Sequence, residues 1–440
     1  MHKTLVFAAL TLGSFATLRA DERPEQWNLD ARRKFAEQRF GIFIHWGLYA
    51  CYAQGEWYQY HTRLDTETYG RIKDGFCPSK FDAREWVRAF KGAGAKYVTF
   101  TSRHHDGFSL WPTKADDGFN IANTPFKRDI VGELAEACRA EGLQLNLYYS
   151  LMDWHRADYP AGSVARSVFG EQKGDYASYK AFMMAQIAEL IDAYRPGCLW
   201  FDGEWEHAKH LPDGTWARTL DWEFDDIYDL IHAKKTLVAN NNHQPIRAKE
   251  DIQLFERDLP GENVDAGVSA NQPVTRDRPI EQCDVLQHNV WGYRVNERKF
   301  RAPEDVVAMV ARAAAKDSNL LMNVGPDGSG QLPAKAVEVL AKVGDWFTKN
   351  GESIYGTSAG GVAIGKSVVS TRKGNVLYLH FLEVGANKAA FKLNAEVVSA
   401  TCLADGTDVP VERTASGDAV VTIHRPADDA FDRVVKIVLK

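Results

Sequence analysis

Asp202 closes an apolar run, Leu199-Trp200-Phe201-Asp202-Gly203, and the glycine after it lets the chain turn and a ligand approach. Taking a charge into an apolar strand is costly unless it is paired. A carboxylate there is therefore either a catalytic group or the N-cap of the segment that follows. The pattern returns in Asp251-Ile252-Gln253-Leu254-Phe255-Glu256, where Glu256 ends the run. Two carboxylates across one cleft are what glycoside hydrolysis uses, one as nucleophile or base and the other as proton donor. Glu262, in the following loop, competes with Glu256 for the second role.

His45, His104 and His105 stand at two more strand ends. Imidazoles with an Asp can hold zinc, but neighbouring residues of an extended chain point to opposite sides and the His-x-His spacing is absent. The three fit better as hydrogen-bond donors to substrate hydroxyls, with a purely structural place open for one of His104 and His105. Glu56-Trp57 joins a carboxylate acceptor to a stacking ring, a pair that suits sugar hydroxyls and a C–H face and equally suits rim packing. Neither a metal nor an organic cofactor is expected.

These groups need a scaffold that brings strand ends together. Short apolar runs alternate with longer amphipathic stretches from residue 40 to about 330, the pattern of repeated βα units on a parallel sheet. Eight candidate strands can be read: 40–46, 97–102, 143–150, 198–202, 236–240, 251–255, 284–287 and 319–323. Helices fit between them, with Gly92 and Gly142 as expected C-caps. A doubly wound nucleotide fold would carry G-x-G-x-x-G after its first strand, and His45-Trp46-Gly47 stands there instead. Polar residues close nearly every strand, among them His45, His104, Tyr148, Tyr149, Asp202, Asn240 to Asn242 and Glu256. In a (β/α)8 TIM-type barrel these ends share one mouth, where active sites lie. The expected organisation is a barrel over 21–350 and a C-terminal antiparallel β-sandwich over 351–440, where period-2 stretches are divided by Gly, Asn and Asp turns.

The chain has 440 residues and a formal charge of −6, without the basic face that nucleic-acid binding needs. His2-Lys3, an uncharged apolar run from Thr4 to Leu18 and then Arg19-Ala20 read as a signal peptide, 1–20, because the run is too short to span a bilayer of ~30 Å. The expectation is an exported protein, periplasmic or secreted, with no membrane span. Its six cysteines lack C-x-x-C spacing, which excludes zinc ribbons and redox motifs and leaves buried thiols and bridges both open.

Read in order, FGIFIHWG (40–47), EWY (56–58), AGAKYVTFTSRHHDGFSLW (93–111), LNLYYSLMDW (145–154), LWFDG (199–203), VWGYR (290–294) and NLLMNVGPDGSG (319–330) resemble glycoside hydrolase family 29, the α-L-fucosidases. The resemblance covers about residues 30–355. It implies that Asp202 is the nucleophile of a retaining double displacement and that His45, Glu56, Trp57, His104, His105, Tyr149 and Trp200 line the fucose pocket. The acid/base falls on Glu256 by strand-end position, with Glu262 and Glu281 as alternatives, and the family's pocket arginine on Arg247 or Arg257. The implied partner is a fucosylated oligosaccharide or glycoconjugate. A retaining galactosidase, or an inactive sugar-binding protein on this scaffold, is the alternative reading.

Overall fold

Residues 24–115, 118–169, 174–211, 216–241, 246–262, 273–424 and 431–440 are described by the computed structural model of the chain. The expected signal peptide, 1–20, lies outside them, as does Asn242. Eight parallel strands form the barrel: β1 (Phe40–Ile44), β2 (Tyr97–Arg103), β3 (Gln144–Ser150), β4 (Cys198–Asp202), β5 (Leu237–Asn241), β6 (Gln253–Glu256), β7 (Ile280–Val285) and β8 (Ser318–Val324). Their spatial order is β5-β4-β3-β2-β1-β8-β7-β6. The circle closes through a parallel bridge between Ala239 and Ile252. That seam is tied by Val238 N donating to Oδ2 of Asp251 at 2.7 Å and Asp251 N donating to Val238 O at 2.8 Å.

The seventh strand is the one the apolar-run reading misplaces, at 284–287 where the structure has Ile280–Val285. Its inward face carries Glu281 and Cys283, so the segment lacks the uninterrupted apolar run of a buried parallel strand. Inside the barrel Phe43, Tyr97, Tyr148, Trp200, Leu254 and Leu321 pack into one cluster, which Phe35 of the N-terminal helix joins. Its lower end is covered by the N-terminal helix Gln26–Gln38, whose Asn28 and Arg32 both donate to Oδ1 of Asp251, each at 2.7 Å.

The outer helices begin where the sequence supplies caps. Asp82 accepts from the backbone of Arg84 and Glu85 at the start of Ala83–Gly92, and Asp129 accepts from Gly132 N at the start of Ile130–Glu141. Gly142 ends the second in the left-handed conformation, φ 75°. After Gly92 the cap is Ala93, and Gly94 takes the positive φ, 95°; a Cβ there would meet the Phe347 ring at 2.7 Å.

Beyond the helix Ala334–Asn350 the chain becomes antiparallel. Ser358–Ile364, Val368–Lys373, Val376–Phe381, Val397–Cys402 and Arg433–Leu439 form one sheet, and Lys388–Phe391, Val411–Arg413 and Ala419–Thr422 a second. Leu377, Leu379 and Ile437 of the first pack with Phe391 and Val421 of the second, which makes the sandwich. It is fixed to the barrel's helices by Trp346 Nε1 donating to Asp432 O at 2.9 Å. No helix among the described residues is long and apolar enough to cross a membrane.

Candidate active site

The C-terminal ends of the strands surround one pocket. Asp202 enters it from β4, Glu256 from β6, His45 follows β1, and His104 and His105 follow β2; Glu56 and Trp57 arrive from the loop after β1, and Trp200 from within β4. The remaining lining comes from Phe43, Tyr148, Trp205, Asn241, Cys283 and Trp291.

Asp202 is surrounded by donors. Tyr148 gives its phenolic proton to Oδ2 at 2.9 Å, while Gly203 N at 2.8 Å and Trp205 Nε1 at 3.0 Å donate to Oδ1. Asn241 Nδ2 stands 3.4 Å from the same Oδ1 and 2.8 Å from Oε2 of Glu256. One amide nitrogen thus touches both carboxylates, and their facing oxygens are within about 6 Å of each other by those two distances. Carboxyl pairs of retaining glycosidases stand ~5 to 5.5 Å apart, and those of inverting ones ~6.5 to 9.5 Å.

The histidines are neutral. Burial pushes His45 and His105 down to about 3, and His104 well below its usual value. The hydrogen-bond network also fixes two tautomers. Asn323 donates through Nδ2 to Trp291 O at 2.7 Å, so its Oδ1 accepts from His45 Nδ1 at 2.7 Å. Ser150 spends its hydroxyl proton on Met152 O at 2.6 Å, so its Oγ accepts from His105 Nδ1 at 2.7 Å. In both rings Nε2 is left with a lone pair, and that of His105 lies 3.6 Å from Oδ2 of Asp202. The expected donor role is therefore reversed for His45 and His105: each presents an acceptor to the O–H of a ligand.

Glu56 is buried, which raises its pKa, and the nearby charge of Glu256 adds to the rise; Gly292 N donates to its Oε2 at 2.7 Å and opposes it. Trp57 stacks with Trp205, centroids 5.9 Å apart. Among the described residues no group of three or more His, Cys, Asp or Glu side chains is arranged to hold a metal ion.

Tyr149 is a correction. Its phenol donates to Oε1 of Gln186, on the helix Tyr176–Tyr194 outside the barrel, at 2.8 Å. Side chains alternate along a strand, so only one of two adjacent tyrosines can face the pocket, and it is Tyr148. The register shows this too, since Tyr148 pairs with the inward Trp200. Glu262 also stands elsewhere, paired with Lys316 at 3.0 Å in the groove between the barrel and the C-terminal sheets. Glu281 lies inside the barrel, fully buried, bonded to Tyr97 and Trp200. Neither candidate arginine lines the pocket: Arg247 pairs with Glu204 and with Glu250 (2.9 Å) over the Phe224 ring, and Arg257 donates to Asn289 at 3.0 Å.

Phe43, Tyr148, Trp205, Asn241, Cys283 and Trp291 are the lining residues that the sequence did not assign to the pocket. Tyr148 and Asn241 were visible as polar residues at strand ends; Trp205, in the short 3-10 turn Glu204–His207, and Trp291, in the loop after β7, lie in connections whose path no local pattern reveals.

The family described as Alpha-L-fucosidase matches residues 16–352. The human tissue alpha-L-fucosidase is 29% identical over 436 residues, covering 90% of this chain and 87% of its own length. Alpha-L-fucosidase isoenzyme 1 from Paenibacillus thiaminolyticus is similar in structure, with 32% identity, a TM-score of 0.81, and coverage of 94% of this chain and all of the other. An alpha-L-fucosidase of family GH29 from Bacteroides thetaiotaomicron, captured as a covalent intermediate with 2-fluoro-fucosyl fluoride, superposes with a TM-score of 0.78 at 25% identity, over 93% and 96% of the two chains.

Proposed function

Because the chain belongs to the alpha-L-fucosidase family, glycoside hydrolase family 29, we propose that it removes terminal α-L-fucose from fucosylated oligosaccharides or glycoconjugates by a retaining double displacement. The observation that carries this reading is the approach of Asp202 and Glu256 to one amide nitrogen in a pocket lined by neutral histidines and tryptophans.

In the first step Asp202 attacks the anomeric carbon and forms a fucosyl ester, while Glu256 gives its proton to the departing glycosidic oxygen. In the second, Glu256 takes a proton from water as the water oxygen displaces Asp202, so both carboxyl groups return to their starting states. The donors on Asp202 hold its charge in place between attacks. Nε2 of His45 and of His105 accept sugar O–H groups, and Trp57 offers a ring face to C–H bonds. L-Fucose carries a methyl group where a hexose has a hydroxymethyl, and Phe43, Trp200 and Trp291, packed edge to face at 5.2 and 6.0 Å, form an apolar wall suited to it. Such a wall discriminates against a hydroxylated sugar by ~10².

The covalent intermediate of the Bacteroides relative supports the retaining step. The apolar N-terminus supports export to the periplasm or the medium, which N-terminal sequencing of the mature protein tests, with a start near Asp21 expected. The reaction itself is tested by a proton-NMR time course with 4-nitrophenyl α-L-fucoside. α-Fucose as the first product is the expected result; β-fucose would mean inversion, and no fucose would overturn the substrate assignment.

A further inference from the structure

Glu281 stands on the inward face of β7 beneath the pocket, 1% exposed, with no ion pair among the described residues. Its two oxygens are each taken. Oε1 accepts from Trp200 Nε1 at 3.0 Å and Oε2 from the phenol of Tyr97 at 2.6 Å. A carboxyl in such a place is expensive relative to an apolar side chain of the same size. It does nothing for the barrel that a leucine would not do better, except hold those two donors.

One of the donors leads to the chemistry. The Trp200 indole lines the pocket and stacks on Tyr148, centroids 5.5 Å apart at 25°. Tyr148 in turn donates to Oδ2 of Asp202 at 2.9 Å. Phe43 packs on the indole from another side at 5.2 Å, but a ring contact resists rotation about the ring normal far less than a directional N–H bond does.

We propose that Glu281 is a positioning residue for the nucleophile: its hydrogen bond fixes the Trp200 indole, the indole fixes Tyr148, and Tyr148 holds Asp202. The assignment rests on the reading of Asp202 given above. Burial pushes the Glu281 carboxyl up to about 7, against the bonds from Tyr97 and Trp200, so it changes charge near neutral pH. When protonated it loses no link to the indole. A hydroxyl such as that of Tyr97 can turn and accept, whereas an indole N–H only donates, so the proton resides on Oε2.

The test is Glu281→Leu beside Glu281→Gln, assayed on 4-nitrophenyl α-L-fucoside and on a fucosyl disaccharide. Leucine removes the acceptor; glutamine keeps a carbonyl for the indole and an amide for the oxygen of Tyr97. The expected result is a fall in kcat of roughly tenfold or more for Glu281→Leu on both substrates, with KM within about threefold, and near-parental kcat for Glu281→Gln. Parental kcat in Glu281→Leu overturns the proposal. So does a loss confined to the disaccharide, which would mark a proton donor, or a glutamine variant as slow as the leucine one.

Trp200→Phe examines the same link from its other end and serves if the leucine variant does not fold. It should slow both substrates by a similar factor, and the double variant should be no slower than the slower single, since coupled residues are not additive. An unaffected Trp200→Phe or an additive double variant overturns the link. Asp202→Gly with azide reports separately: without rescue the nucleophile reading fails, whereas rescue together with parental Glu281→Leu sinks only the positioning role.

Discussion

Tyr148 reaches Oδ2 of Asp202 with its phenolic proton at 2.9 Å, while the adjacent Tyr149 points out of the barrel to Gln186 at 2.8 Å. The two residues have the same chemistry and opposite consequences. A hydrogen bond to a charged group contributes ~1.5 to 3 kcal/mol, so Tyr148→Phe should lower kcat/KM by roughly 10- to 100-fold. Tyr149→Phe should leave kcat/KM unchanged and lower the melting temperature by a few degrees, consistent with loss of a neutral bond of about 1 kcal/mol. Steady-state kinetics and thermal melts on both variants decide; equal kinetic effects would mean the facing of β3 is wrong.

Asp202→Gly should lose several orders of magnitude in turnover and stay folded, because the side chain's partners can turn to water in an open pocket. Azide should restore turnover on an activated aryl fucoside and yield the β-fucosyl azide, the product of attack on the face that Asp202 vacates. NMR of the product identifies the anomer. Wild-type activity in Asp202→Gly would remove this residue from the reaction.

Glu256 and Glu262 make a second contrast. Glu256 meets Asn241 inside the pocket, and Glu262 meets Lys316 outside it. Glu256→Ala should slow substrates with poor leaving groups far more than 4-nitrophenyl fucoside, by about 10²-fold or more. Glu262→Ala should match the parent on both, since a half-exposed ion pair is worth ~0 to 1 kcal/mol. The opposite ranking would transfer the proton-donor role to Glu262.

The depressed histidines make a statement about stability. A His with pKa about 3 when folded and ~6.5 when unfolded favours folding above pH 6.5, and this contribution is lost as pH falls through that window. The unfolded chain binds the extra proton there, so stability rises with pH. Asp106, pushed up to about 6 by burial, and Glu281 work in the reverse direction over part of the range, which is why a difference measurement is needed. In urea unfolding between pH 4 and 6.5, His45→Gln should flatten the slope of stability against pH by about one proton, ~1.4 kcal/mol per pH unit, relative to the parent. An unchanged slope would mean that His45 is not held neutral.

Much of this molecule is legible in its residues because the signals are local. Strand-end polarity after apolar runs marks the barrel and its mouth, period-2 stretches after Gly351 mark the sandwich, and caps such as Asp82 and Asp129 stand where helices begin. The order of FGIFIHWG, HHDGF and WFDG carries the family. β7 escaped because strands lining a pocket carry polar inward residues, Glu281 here, and so break the apolar run that would announce them.

What tertiary structure alone decided are relations between strands. Choosing Tyr148 over Tyr149 requires register, since a shift of one residue exchanges the two faces. Which of Glu256, Glu262 and Glu281 stands in the pocket beside Asp202 depends on which chain end lies across from it once the barrel closes between Ala239 and Ile252. The acceptor character of His45 and His105 comes from Asn323 and Ser150, brought in by β8 and β3, because a neutral imidazole's free nitrogen is set by what its other nitrogen bonds. Sequence fixes which side chains a strand end carries; only the closed barrel fixes which of them meet.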